Sequence, residues 1–184
     1  MSTTPTPAPM TGRRAERDGE SLLVIERQLR APIDDVWAAC TDPVRMQRWI
    51  GTWSGDPASG SISFRMTAEG EDVEAEEMDV LACDPPHRFV VRGREPQAFT
   101  EDGSGERIHW EMELELSETD GLTSLRFVQV LAPGETGREM VASVGPGWDY
   151  YLDRLVAAVA GGDVDAVDWE VYAPGSAYYR EHFA

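Results

Sequence analysis

The residues of this chain that could bind a charged ligand group are arginines within predicted strands. Arg65, Arg92 and Arg126 each lie in a segment with the composition of a β-strand. An arginine that faces the inside of a sheet could hold a ligand carboxylate or phenolate, because its planar fork pairs with such oxygens. Alternatively, these arginines pair with the many glutamates on the wet face. The sequence favours this second reading and leaves the first open.

Two further groups could transfer protons. His109 and Glu111 share one face of a predicted strand, but alternation places both opposite Trp110 and Met112, on the solvent side. Three neighbours at the start of the last predicted helix could donate or accept protons at a pocket mouth: Asp149, Tyr150 and Tyr151. That idea rests on position alone. The sequence therefore predicts no catalytic residue.

Cofactor and metal motifs are missing from the sequence. Cys40 and Cys83 have no ligand-like spacing, and the histidines are scattered at His87, His109 and His182. The chain contains no lysine, so it has no phosphate-binding Gly-Lys-Ser/Thr loop, and no serine lies in a nucleophile-elbow pattern. We expect neither a metal nor a cofactor.

Composition narrows the class of protein. The 184 residues suit one domain, and the formal net charge of −18 disfavours binding to nucleic acid. No apolar run approaches the length of a membrane span. Residues 1–21 are rich in Pro, Thr and Ser, contain no signal-like apolar stretch and are predicted to be a disordered leader. These features predict a cytoplasmic protein with reduced thiols, as a monomer or weak dimer.

The first elements are a strand and two short helices. Residues 21–30 have the bias of a strand, and Pro32 then begins a helix with an apolar stripe that includes Trp37. Asp42 is a predicted N-cap for a second helix, which begins at Pro43 and carries Trp49. A loop is predicted at 51–61.

From residue 61 the pattern changes to strands, at 61–68, 72–84, 88–94, 107–117 and 122–132. The segment 107–117 alternates strictly between apolar and mostly acidic residues, which is typical of an antiparallel strand with one wet face. The last predicted helix runs from Trp148 to Val159. The sequence Gly-Pro-Gly at 145–147 is expected to kink or break any extension upstream.

These elements predict an α+β fold, in which a curved antiparallel sheet of six or seven strands wraps on the long C-terminal helix. The two short helices close one end, where their tryptophans fill the space between sheet and helix. The domain is expected to span 22–162. The tail, 163–184, contains five aromatic residues and is expected to pack on the domain.

Three stretches resemble a known family: "IERQLRAPIDDVWAACTDPVRMQRWI", "DVLACDPPHRFVVRG" and "GWDYYLDRLVAAVAGG". Together they are similar to the START-like (SRPBCC) superfamily with its helix-grip fold, in the branch related to the C-terminal domain of the activator of the heat-shock-protein-90 ATPase. The resemblance covers about residues 22–162. It implies a cavity between sheet and helix that accepts apolar molecules, but it does not imply one activity.

We therefore expect a non-enzymatic domain that binds a small apolar or aromatic molecule in this cavity. The alternatives are a polyketide cyclase-like or hydratase-like enzyme and a chaperone-related interaction module. The expected cavity residues are Trp49, Trp53, Phe64, Met66, Met78, Phe89, Arg92, Trp110, Met112, Arg126, Phe127, Met140, Val144, Trp148, Tyr151 and Leu152. The same residues would also form a filled core.

Overall fold

The computed structural model describes residues 6–70, 72–98 and 106–184, which form one sheet and four α-helices. The strands are β1 (Arg13–Arg17), β2 (Glu20–Leu29), β3 (Thr52–Asp56), β4 (Ser61–Arg65), β5 (Glu76–Asp84), β6 (Arg88–Gly93), β7 (Glu111–Thr119) and β8 (Leu122–Val130). The helices are α1 (Ile33–Thr41), α2 (Pro43–Met46), α3 (Gly134–Val159) and α4 (Ser176–His182). No helix in these ranges is long and apolar enough to cross a membrane.

The eight strands form one antiparallel sheet in the order β1-β2-β8-β7-β6-β5-β4-β3. Alternate residues of β2 and β8 face inward, where they share one apolar core with Leu152 and Leu155 of α3. A sheet that buries one face under a long helix confirms the predicted helix-grip fold. The strand count is slightly higher than the six or seven predicted.

The two additional strands lie at the edges of the sheet. β3 occupies part of the loop predicted at 51–61, and β1 lies inside the leader that is predicted to be disordered through residue 21. Both predictions are wrong at these residues. An edge strand is held by backbone hydrogen bonds to a single neighbour and needs no apolar alternation, so the sequence pattern did not reveal it.

The two short helices lie where the sequence predicts them and close one end of the fold, but α2 ends at Met46, so Trp49 lies in the turn after α2 rather than in the helix. Asp42 caps α2, because its carboxylate accepts the N–H groups of Val44 and Arg45, both at 2.9 Å. The indole of Trp49 donates to the carbonyl of Ala39 at 2.9 Å, within α1. The Asp42 cap therefore fixes the start of α2, and the indole of Trp49 connects the turn after α2 to α1.

Helix α3 is continuous through 145–147, so the predicted break is wrong. Pro146 removes one backbone donor within the helix. However, Gly145 and Pro146 are both buried, and a Cβ at Gly145 would lie only 2.6 Å from the ring of Tyr179. We attribute the continuity to this packing, which offsets the lost hydrogen bond.

The outer face of the sheet contains a buried ion-pair cluster. The carboxylate of Glu113 is 3% exposed and binds Arg17 at 2.6 Å and Arg88 at 2.5 Å. Burial alone would raise the pKa of Glu113, but the hydrogen bonds from both arginines outweigh it and hold the pKa below its usual range. Arg17 thereby ties the unpredicted strand β1 to β7.

A second buried carboxylate fastens both ends of the chain to α3. Asp149 is fully buried and accepts hydrogen bonds from Thr11, from the hydroxyl of Tyr179 and from Arg27 at 2.9 Å. Burial and the nearby carboxylate raise the pKa of Tyr179 above its ordinary value. Thr11 and the tail residue Tyr179 therefore meet at the same residue of α3.

Candidate functional site

The candidate site is an apolar cavity of about 90 Å³ between the inner face of the sheet and α3. Strands β3 to β8 supply its floor, α3 its roof and the two short helices its closed end. Its lining consists of Cys40, Met46, Trp49, Ile50, Trp53, Ile62, Phe64, Met78, Phe89, Val91, Met112, Glu113, Leu114, Phe127, Trp148 and Leu152. Nearly every lining side chain is therefore a hydrocarbon, an aromatic ring or a thioether.

The two ionisable residues of the lining offer no charge to the cavity. The carboxylate of Glu113 binds Arg17 and Arg88 on the outer face of the sheet. Because side chains alternate along a strand, it is the backbone of Glu113 that borders the cavity. Burial raises the pKa of the Cys40 thiol to about 12, so the sulfur stays protonated. Within the described ranges, no group of His, Cys, Asp and Glu side chains could hold a metal ion.

The rings of the lining are held in defined orientations. Trp53 donates its indole N–H to the carbonyl of Thr41 at 3.0 Å. Trp148 packs on Phe127 with ring centroids 4.4 Å apart, and its indole N–H donates to the side-chain oxygen of Gln129 at 2.6 Å. The walls of the cavity are therefore positioned by hydrogen bonds behind the rings.

The structure brings nine of the predicted cavity residues together in the lining: Trp49, Trp53, Phe64, Met78, Phe89, Met112, Phe127, Trp148 and Leu152. Five other apolar predictions lie outside the lining. Trp110 packs edge-on against Trp148, with ring centroids 6.3 Å apart. Met140 is fully buried nearer the N-terminal end of α3. The remaining three are Met66, Val144 and Tyr151, of which Tyr151 points its hydroxyl at Glu69.

The two arginines placed in the predicted cavity lie instead on the outer face. Arg92 binds Glu111 at 2.5 Å, and Arg126 binds Glu115 at 2.6 Å. Neither lines the cavity, because each occupies the strand position that alternates away from the apolar face. The competing interpretation, in which they pair with glutamates, describes both residues.

The candidate proton-transfer groups also lie outside the lining. His109 is exposed on the outer side, where its ring nitrogen contacts the carbonyl of Gly93 at 2.8 Å. Asp149 belongs to the buried network with Arg27, and Tyr150 packs on Trp169 of the tail. None of these groups lines the cavity.

Two inward-facing polar side chains near the cavity were not predicted from the sequence, the buried Gln129 and the half-buried Glu76. Gln129 is fully buried on the inner face of β8, two residues after Phe127. Glu76 pairs across strands with Phe64, and its pKa is raised by burial, although a hydrogen bond with Gln97 opposes the shift. The signal was available, since alternation from neighbouring apolar residues places both side chains inward.

Glu76 is accommodated by the absence of a neighbouring side chain. A Cβ at Gly93 would collide with its carboxylate. Gln97, which bonds to Glu76, also accepts the indole N–H of Trp110 at 2.9 Å. One oxygen of Glu76 remains without a hydrogen-bond partner among the residues that the structure describes.

Comparison with known proteins gives one family match. Residues 30–160 match the profile described as "Activator of Hsp90 ATPase homolog 1-like protein". Among curated proteins, no sequence matches the chain.

Many solved structures share the fold. CalU16 from Micromonospora echinospora is 26% identical, with a TM-score of 0.67 over 94% of this chain and 95% of its own. The BPP1335 protein from Bordetella parapertussis is 23% identical, with a TM-score of 0.67 over 98% and 95%. MLL2253 from Mesorhizobium loti is 21% identical, with a TM-score of 0.62 over 77% and 98%.

Proposed function

We propose that this chain, which belongs to the family of Activator of Hsp90 ATPase homolog 1-like proteins, binds a small apolar or aromatic molecule in the cavity under α3. The family and the neighbouring structures agree with the START-like (SRPBCC) resemblance of its motifs. The observation that carries the proposal is the lining itself, in which apolar side chains from the sheet, α2 and α3 converge on one space. Such a lining offers burial of apolar surface and little else.

The size of the cavity limits what fits without movement. Its volume of about 90 Å³ is below the roughly 300–1,000 Å³ typical of drug-sized ligands. A single aromatic ring that buries about 150 Å² would gain about 4 kcal/mol. That free energy corresponds to a Kd of about 1 mM. A tighter ligand must therefore bury more surface than the present space allows.

The lining contains side chains that can make this room. Met46, Met78 and Met112 are unbranched, with three rotatable bonds each, so they can repack around ligands of different shapes. They lie in α2, β5 and β7, on different sides of the space. Larger apolar molecules then enter by displacement of methionine side chains rather than by opening of the sheet.

A cyclase-like or hydratase-like enzyme is the less favoured alternative. Such chemistry needs at least two ionisable groups within reach of one point in the cavity. The lining provides a protonated thiol at Cys40 and the backbone of Glu113. Glu76 is not part of the lining, although its neighbours Phe64 and Met78 are. Binding without catalysis is therefore the better supported proposal.

A chaperone-related interaction module is the other alternative, and it rests on the family description and the aromatic tail. Tyr172 and Tyr179 of that tail are buried, and both donate to carboxylates of α3, Tyr172 to Asp153 at 2.5 Å. Docking of the tail on a partner would require these side chains to leave the domain. This requirement makes ligand binding the first proposal.

Methionine methyl groups provide a direct test. Protein labelled with ¹³C at the methionine methyls is titrated with toluene and followed by NMR. We expect saturable shifts for Met46, Met78 and Met112 with a Kd of about 1 mM. Met10, which packs on Gly175 of the tail, is the internal control and should not shift. Shifts that are absent, or that do not saturate, would overturn the proposal.

An occluding variant locates the binding. Ile62→Phe adds a ring in the lining and should abolish the saturable shifts. Leu81→Phe makes a similar change at a residue that is 49% exposed, and it should leave toluene binding unchanged. Thermal unfolding of both variants shows whether either change disturbs the fold, since overpacking costs about 1–3 kcal/mol.

A further inference from the structure

A buried side-chain amide beside the cavity has hydrogen-bonding capacity that the protein does not use. Gln129 lies on the inner face of β8 and is fully buried. Its neighbour on the same strand face, Phe127, lines the cavity, and so does Met112, its direct partner across β7. The amide is therefore one side chain away from the open space on two sides.

The orientation of this amide is determined by Trp148. An indole nitrogen is a donor only, so the atom of Gln129 that it contacts at 2.6 Å must be the oxygen. The NH₂ group then faces the other way. This nitrogen is fully covered and has no hydrogen-bond partner among the residues that the structure describes.

The hydrogen bond from Trp148 uses the oxygen of the Gln129 amide and leaves its NH₂ group unexplained. An acceptor alone would satisfy the indole, whereas glutamine also brings two N–H donors into an apolar interior, where unpaired donors are unfavourable. Buried polar groups in proteins are nearly always satisfied. An unsatisfied donor next to an apolar cavity is the kind of group that fixes the orientation of a ligand.

We infer that Gln129 is a specificity-determining residue, whose side-chain N–H donates to an oxygen of the ligand. The inference rests on the proposed function and narrows its ligand class to apolar or aromatic molecules that carry a carbonyl or comparable acceptor oxygen. Movement of the Met112 side chain, which has three rotatable bonds, would bring such an oxygen to the amide. A ligand whose only polar group is a donor leaves this N–H unpaired, because the side-chain nitrogen of Gln129 needs an acceptor.

Two ligands of matched shape separate this inference from the proposed function. Ethylbenzene is apolar, and acetophenone has the same skeleton with a carbonyl oxygen. We expect acetophenone to bind the full chain about tenfold more tightly, as one added hydrogen bond allows. If neither ligand binds, the proposed function fails. If both bind with equal affinity, the proposed function stands and the role of Gln129 is overturned.

The side-chain amide itself gives the second readout. In ¹⁵N-labelled protein, the NH₂ resonances of Gln129 should shift saturably with acetophenone and not with ethylbenzene. In Gln129→Met, the preference for acetophenone should disappear while ethylbenzene still binds. A preference that survives this substitution would contradict the inference. If Gln129→Met does not fold, the amide resonances of the unchanged protein decide, because their failure to respond to bound acetophenone would overturn it.

Discussion

Removal of one hydroxyl tests whether the tail is anchored on α3 through a buried charge. In Tyr179→Phe, the fully buried carboxylate of Asp149 loses the O–H donor from the tail and keeps Thr11 and Arg27. A hydrogen bond to a charged group contributes about 1.5–3 kcal/mol. For a domain of this size, that loss lowers Tm by about 3–12 °C.

The matched control is the neighbouring tyrosine. The hydroxyl of Tyr178 donates to the neutral carbonyl of Gly12 at 3.1 Å and is only partly buried. Tyr178→Phe should therefore cost about 0.5–1.5 kcal/mol. Urea unfolding followed by tryptophan fluorescence measures both, and an unchanged slope with denaturant shows that the unfolding transition stays comparable. A smaller loss for Tyr179→Phe than for Tyr178→Phe would refute the anchoring by Asp149.

Three further outcomes follow from buried groups. The pKa of Glu113 is lowered in the folded protein, so its contribution to stability is complete above the pKa of the unfolded state and is lost as the pH falls through the lower, folded pKa. Glu113→Gln should flatten this acid-side loss in unfolding free energy measured between pH 7 and pH 3, and an unchanged slope would contradict it. Gly145→Ala should destabilise the protein, because the new Cβ meets the ring of Tyr179, whereas Gly147→Ala, with nothing within 4 Å, should stabilise α3 by up to about 1 kcal/mol in thermal unfolding. A disulfide reagent should label Cys83 in the native state and Cys40 only after unfolding; rapid native labelling of Cys40 would contradict its burial.

Periodicity predicted the parts of the fold that bury an apolar face. The alternation along β7 and the helical stripe that contains Leu152 and Leu155 each allow one assignment, because the wrong period would expose the apolar residues. β1 could not be predicted in this way. Its sequence, RRAER, has no apolar alternation, and its position depends on pairing with β2 and on Arg17 reaching Glu113.

The candidate site was predictable to a similar extent. Phe64, Met78 and Phe127 are apolar residues of predicted strands that were expected in the cavity implied by the family resemblance, and all three line it. Arg92 and Arg126 do not line the cavity, because their strand positions face outward, where each pairs with a glutamate, as the favoured interpretation of the sequence expects. Gln129 was missed, since one polar residue at an inward position looks like an interruption of the pattern rather than part of the site.

The most direct test of the central claim is native mass spectrometry of the gently purified full chain, with an organic extract of the same sample analysed beside it. We expect a defined additional mass on the protein, which reappears in the extract as an apolar molecule and is absent from Ile62→Phe prepared in the same way. The bare mass of the protein, with an extract that contains no such molecule and no saturable response to toluene, would contradict ligand binding and favour a filled core.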